Sequence, residues 1–149
     1  MAALPPSRSF RLRLLAVVAG ALVALIGALL TTGLFGIDVA VPEGPGSGEV
    51  MLTAPRAALV AAIGGLAGLV VAWVVERRAG QPRRTWIVVA SVGLALSFIP
   101  SVLVSDDASG MTVLIALHVA VAAVVIPLVA ATLPTPERHR ALSQPRAAA

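Results

Sequence analysis

Cysteine is absent from this 149-residue chain, which excludes structural disulfides, thiolate metal sites and redox-active CxxC pairs. Membrane oxidoreductases that work through paired cysteines are excluded with them, as are tetraspanning junction proteins that carry a disulfide. Lysine and tyrosine are missing too, so all 11 basic residues are arginine. Aromatic residues make up 3% and charged residues 12% of the chain, too little polar surface to coat a soluble domain of this length. The sequence has no phosphate-binding glycine loop, nucleophile elbow or HExxH pattern. The bias toward Ala, Val, Leu and Gly matches the coding preference of a GC-rich bacterial genome.

What the chain has instead is apolar length. Uncharged runs extend over Leu14–Ile37, Ala57–Val75, Thr85–Val104 and Gly110–Leu133, and the mean hydropathy is +0.98. Each approaches or exceeds the roughly 20 residues that an α-helix needs to cross the hydrocarbon of a bilayer. A segment in lipid must satisfy its own backbone, and none of these runs alternates like a barrel strand, so each is read as a helix. The expected fold is all-α: a polytopic membrane protein with four transmembrane helices in two antiparallel hairpins. The helices are expected at about 14–35, 55–75, 85–104 and 111–133, within a domain spanning 14–133. Residues 1–13 form an N-terminal flank, and 134–149, rich in Pro, Arg and Ala, a disordered tail.

The arginines predict orientation. Arg8, Arg11 and Arg13 precede the first run, Arg77, Arg78, Arg83 and Arg84 lie between the second and third, and Arg138, Arg140 and Arg146 follow the fourth. Only Arg56 falls on the opposite side, with Asp38, Glu43, Glu49, Asp106 and Asp107. This positive-inside bias puts both termini in the cytoplasm of a bacterial cell, and the protein in its cytoplasmic membrane. Topology also accounts for the pI of about 11.6, so no nucleic-acid partner is expected. The first helix is expected to be an uncleaved anchor, because its apolar stretch is longer than that of a signal peptide and no A-x-A site follows. Trp73 and Trp86 flank the inner loop, where indole rings favour the headgroup region.

The 36–55 segment reads as a flexible acidic linker outside the membrane. Thr53 and Pro55 offer an N-cap and a first-turn proline to the second helix. Small residues recur at spacings of four: Ala16, Gly20, Ala24 and Ala28 in helix one; Ala57, Ala61 and Gly65 in helix two, beside Gly64 and Gly68; Gly93, Ser97 and Ser101 in helix three; Ala116 and Ala120 in helix four. Such stripes let backbones approach closely in lipid. Packing within the bundle is the plain reading, and association with another copy the sharper one.

His118 is the one ionisable side chain inside the four runs. An ionisable group at that depth carries a functional hypothesis by default. Two readings stand: a structural imidazole donating to a neighbouring helix, with Ser97 or Ser101 as partner, or a proton-handling or ligand-binding group. Metal or haem ligation is the least supported, since the other histidine, His139, lies in the tail. Pro100 and Pro127 each remove a backbone donor, freeing the carbonyls of Leu96 and Ala123 and kinking their helices. Asp106 and Asp107 are explained by loop solubility.

An Arg-flanked first helix entering a Gly/Pro-rich acidic loop combines with the last span, Leu117-His118-Val119-Ala120-Val121-Ala122-Ala123-Val124-Val125-Ile126-Pro127. Together these resemble a family of actinobacterial four-helix integral membrane proteins of unknown function, across Arg11 to Leu133. The resemblance implies a fold and a location but no activity and no catalytic residues. The small multidrug exporters also have four short helices, but they depend on a buried carboxylate in helix one and an aromatic cage, and this chain has neither. The expectation is a non-enzymatic protein without cofactor or metal, structural, accessory or partner-binding through helix packing. Its partners would be the lipid bilayer and either another copy of itself or a second membrane protein. The alternative is a small transporter or channel subunit in which His118 handles a proton.

Overall fold

The computed structural model describes residues 6–37, 39–42, 49–104 and 108–134. Helix α1 (Pro6–Leu29) runs into a π-helical turn, Leu30–Leu34, and then a short antiparallel ribbon of β1 (Ala40–Pro42) and β2 (Glu49–Met51). Helices α2 (Ala54–Arg78), α3 (Pro82–Val104) and α4 (Ala108–Thr132) follow. All four helices are long and apolar enough to cross a membrane. The chain is therefore a multi-pass, all-α membrane protein. Apart from Pro134, the expected tail lies outside the described residues, as do Asp38, Asp106 and Asp107.

The helices outrun the uncharged stretches that announced them. α1 begins at Pro6 rather than Leu14, and α2 continues through Arg78. Arginine is a good helix former, so charge marks where a helix leaves the hydrocarbon and not where it stops. At 1.5 Å per residue the helices are about 35 Å long, more than the roughly 30 Å of a hydrocarbon core. Large apolar side chains such as Leu22, Ile26, Val60, Ile63 and Leu96 are half or more exposed around the outside, as expected where the solvent is lipid.

α1 is the spine of the bundle, with α2 packed on one side and α4 on the other. α3 packs on α4 to complete the second hairpin, and it touches α2 sparingly. The small-residue stripe of α1 explains the arrangement. Ala16, Gly20, Ala24 and Ala28 are all buried. A Cβ on Gly20 would lie 2.6 Å from Val125 Cγ2, and one on Gly27 would collide with Leu117, so α4 lies against bare backbone. On the opposite flank, a Cβ on Gly65 of α2 would meet Val17 at 3.0 Å.

At the end rich in arginine the four helices converge. Ala16, Ala72, Val75, Trp86, Val129 and Leu133 form a shared cluster there. Trp86, expected among lipid headgroups, is only 4% exposed, and its indole N–H donates to the carbonyl of Ile126 at 3.1 Å. Trp73 does face outward, with the Arg77 guanidinium stacked 4.0 Å from its ring centroid. Arg13 is buried beside this cluster. Its Nη2 lies 2.8 Å from Glu76 Oε2 without aligning as a hydrogen bond, and its Nε–H donates to Thr132 Oγ1 at 2.8 Å. One guanidinium thus ties α1 to α2 and α4.

The opposite end is capped by the ribbon, so the acidic segment is not the wholly flexible linker its composition suggested. Val39 and Leu52 are buried there with Ala24, Ala28, Ala57 and Val113. The π turn makes this fold-back possible. Phe35 N–H donates to Leu30 and Ile37 N–H to Thr31, and Gly36 takes a φ of 62° to end the helix. The hydroxyls of Thr31 and Thr32 donate to the carbonyls of Gly27 and Ala28 beneath it. Among the described residues, none of this cluster comes from α3.

Replacing Glu76 by Leu strands a buried guanidinium, and we expect a loss of about 1–3 kcal/mol in detergent unfolding, moderated because Glu76 is partly exposed. The Arg13→Met, Glu76→Leu double variant should recover most of it. Gly20→Leu should cost about 1–3 kcal/mol by overpacking against α4. Gly64→Ala, whose Cβ meets nothing within 4 Å, should be neutral or stabilising. Thermal unfolding followed by circular dichroism compares all four.

Candidate functional site: a cleft between α2 and α3

Because α2 and α3 converge at the arginine end and are held apart elsewhere, a cleft of about 800 Å³ opens between them. That volume falls in the range of small-molecule sites. The α2 wall carries Arg56, Val60, Gly64 and Gly68, four residues apart and so on one helix face. The α3 wall repeats the device with Gly93, Ser97 and Ser101. Leu114, His118, Val121 and Val125 of α4 form the back, and Val41 of β1 with Leu52, the residue after β2, forms a roof. Trp86 is the floor, with the edge of its indole 3.7 Å from where Gly68 would carry a Cβ. From Arg56 to Gly68 the cleft runs about 18 Å along α2.

The glycines make this space. Gly64 and Gly93 have nothing within 4 Å of a built Cβ, in contrast to Gly20, Gly27 and Gly65, which are filled by neighbouring helices. The small-residue stripes therefore divide into one set that packs the bundle and another that faces an opening.

The structure brings His118, Ser97 and Ser101 to one cavity but does not bond them to one another. His118 Nδ1 lies 2.7 Å from the carbonyl of Leu114 on its own helix. A carbonyl can only accept, so the proton sits on Nδ1 and Nε2 is left as an acceptor in the neutral ring. Ser97 Oγ donates to Leu94 at 2.6 Å and Ser101 Oγ to Ser97 at 3.2 Å, again within the helix. The expected bond between α3 and α4 is replaced by three local ones. In an apolar medium the carbonyl one turn back is already within reach of a short polar side chain. With these donors engaged, the hydrogen-bonding capacity left on the three side chains is for accepting.

Pro100 also lines the cleft, near its ribbon end, whereas Pro127 is exposed on the outside of α4. α3 and α4 continue through both prolines. Among the described residues no three His, Asp or Glu side chains come together as a metal group would require. Sequence reasoning did not single out Arg56, Trp86 or the Arg13–Glu76 pair as site or lock residues. For Arg56 the signal was there, since it is the one arginine placed among the acidic loops.

No curated protein and no solved structure matches the chain. A family model described as a family of unknown function (DUF6069) matches residues 5–135, a stretch that takes in all four helices, the ribbon and the whole cleft. On that match, the chain belongs to the DUF6069 family.

Proposed function

We propose that the protein is an accessory, non-enzymatic binding protein of a bacterial cytoplasmic membrane, which receives an apolar partner in the cleft between α2 and α3. The observation that carries this reading is the pair of bare glycine faces at Gly64 and Gly93, with nothing packed on either. Glycine in a helix interior costs roughly 0.5–1 kcal/mol relative to alanine, and at Gly20, Gly27 and Gly65 close packing offsets that cost. At Gly64 and Gly93 an occupant from outside the chain would do the same.

The arginine distribution supports an orientation with the arginine end in the cytoplasm and the ribbon outside. The arginine-only basic set and the Ala/Val/Gly bias support an actinobacterial source. A transporter is less well supported by the geometry. The Trp86 cluster closes the cleft at the arginine end, so the space is a blind pocket and not a path. His118 holds its Nδ1 proton against the carbonyl of Leu114 on its own helix, and among the described residues no bond links its ring to another helix as a proton wire would require.

A photoreactive alkyl diazirine, applied to the protein in lipid nanodiscs, tests the reading. Labelling is expected to concentrate on the cleft faces of α2 and α3, and to fall severalfold there in a Gly64→Leu, Gly93→Leu variant with unchanged helicity. Equal labelling around the whole bundle would remove the cleft from consideration. Proton flux in proteoliposomes is expected to match empty vesicles, for the native chain and for His118→Gln alike. A native flux that His118→Gln abolishes would restore the transporter.

A further inference from the structure

Arg56 stands at the ribbon mouth of the cleft, half-buried, as the third residue of α2. Two local effects oppose a cation there. The N-terminal end of a helix carries partial positive charge, so a neighbouring arginine is repelled. The positive-inside bias disfavours arginine on that side of the membrane as well. The first turn of α2 contains no acidic residue, and Thr53 at its N-cap makes no side-chain cap bond, so the turn's own backbone donors add to the positive field. Below Arg56, the cleft runs for about 18 Å between mainly alkyl groups and glycine, with Ser97, Ser101 and His118 as its polar side chains and no second charged residue in its lining.

A charged head set over a long apolar slot has the shape and polarity of an amphiphile in negative. We infer that the cleft holds one anionic phospholipid of the ribbon-side leaflet, with its phosphate against Arg56 and an acyl chain lying along Gly64, Gly68 and Gly93 toward Trp86. The inference rests on the cleft being a binding site and adds the chemistry of its occupant. Arginine suits this task because its planar fork can take two phosphate oxygens at once. The acceptor-only interior agrees with it: His118 Nε2 and the serine lone pairs ask for no anion, so negative charge is directed to the mouth. A zwitterionic lipid would bring its own cation to the same place and be held less well.

Trp86 at the floor provides the measurement. In a Trp73→Phe background the full chain is reconstituted in phosphatidylcholine, and dibrominated lipid with bromine near the methyl end of the chain is titrated in. Brominated phosphatidylglycerol is expected to quench Trp86 at about one-fifth the mole fraction that brominated phosphatidylcholine needs, the effect of one arginine near an anionic headgroup. Arg56→Gln should bring the two lipids together, Arg56→Lys should keep part of the preference, and added salt should reduce it. The Gly64→Leu, Gly93→Leu variant should lower quenching by both lipids. If that variant quenches like the parent, the cleft is no binding site and the inference falls with it. If plugging works but phosphatidylglycerol and phosphatidylcholine quench equally in the parent, the cleft reading stands and the anionic occupant is overturned. A preference that survives Arg56→Gln unchanged overturns it too.

Discussion

The bundle depends on how closely α1 can be approached. Inside a bilayer, water gives helices no reason to associate, and what remains is van der Waals contact and a few polar bonds. α1 offers bare backbone at Gly20 and Gly27, into which Val125 and Leu117 of α4 fit, and its Val17 fits against Gly65 of α2. Both neighbours are drawn to the same spine from different sides. α3, which reaches the assembly through α4, cannot also close on α2 along its length. The cleft is thus a by-product of where the close contacts are spent.

Polar bonding divides along the same axis. At the arginine end, bonds between helices lock the structure: Arg13 to Glu76 and Thr132, and the Trp86 indole to Ile126. Toward the ribbon end, the hydroxyls of Thr31, Thr32, Ser97, Ser101 and Thr112 and the His118 ring all turn back to carbonyls of their own helices. Side chains satisfied locally leave the facing helix free to part from them. One end is stitched and the other is only packed.

Much of the fold was legible in the residues. Four uncharged runs specify four helices, and the arginine-rich loops between them specify which ends lie together, because lipid leaves the backbone no alternative. Less of the site was. The stripe at Ala16, Gly20, Ala24 and Ala28 looks in sequence like the one at Gly93, Ser97 and Ser101. Only the neighbours of each glycine show that the first is filled and the second vacant. His118 was conspicuous for its rarity, yet its partner could not be read, since the carbonyl of Leu114 is backbone and every residue has one. Arg13 passed for an ordinary flanking charge because nothing local distinguishes a buried guanidinium from the exposed one at Arg11. The ribbon was hidden for a similar reason: β1 and β2 are too short to carry a periodic signal, and they hold together by resting Val39 and Leu52 on the bundle.

The π turn at Leu30–Leu34 fits more chain into one revolution than an α-helix would, and residues beyond it are displaced in angular phase. One residue of an α-helix corresponds to about 100° of rotation. Without that offset, Val39 would leave α1 on a different bearing from the one that buries it beside Ala24 and Ala28. The shape of the mouth is set by a local change of helical pitch, several residues before the ribbon that forms it.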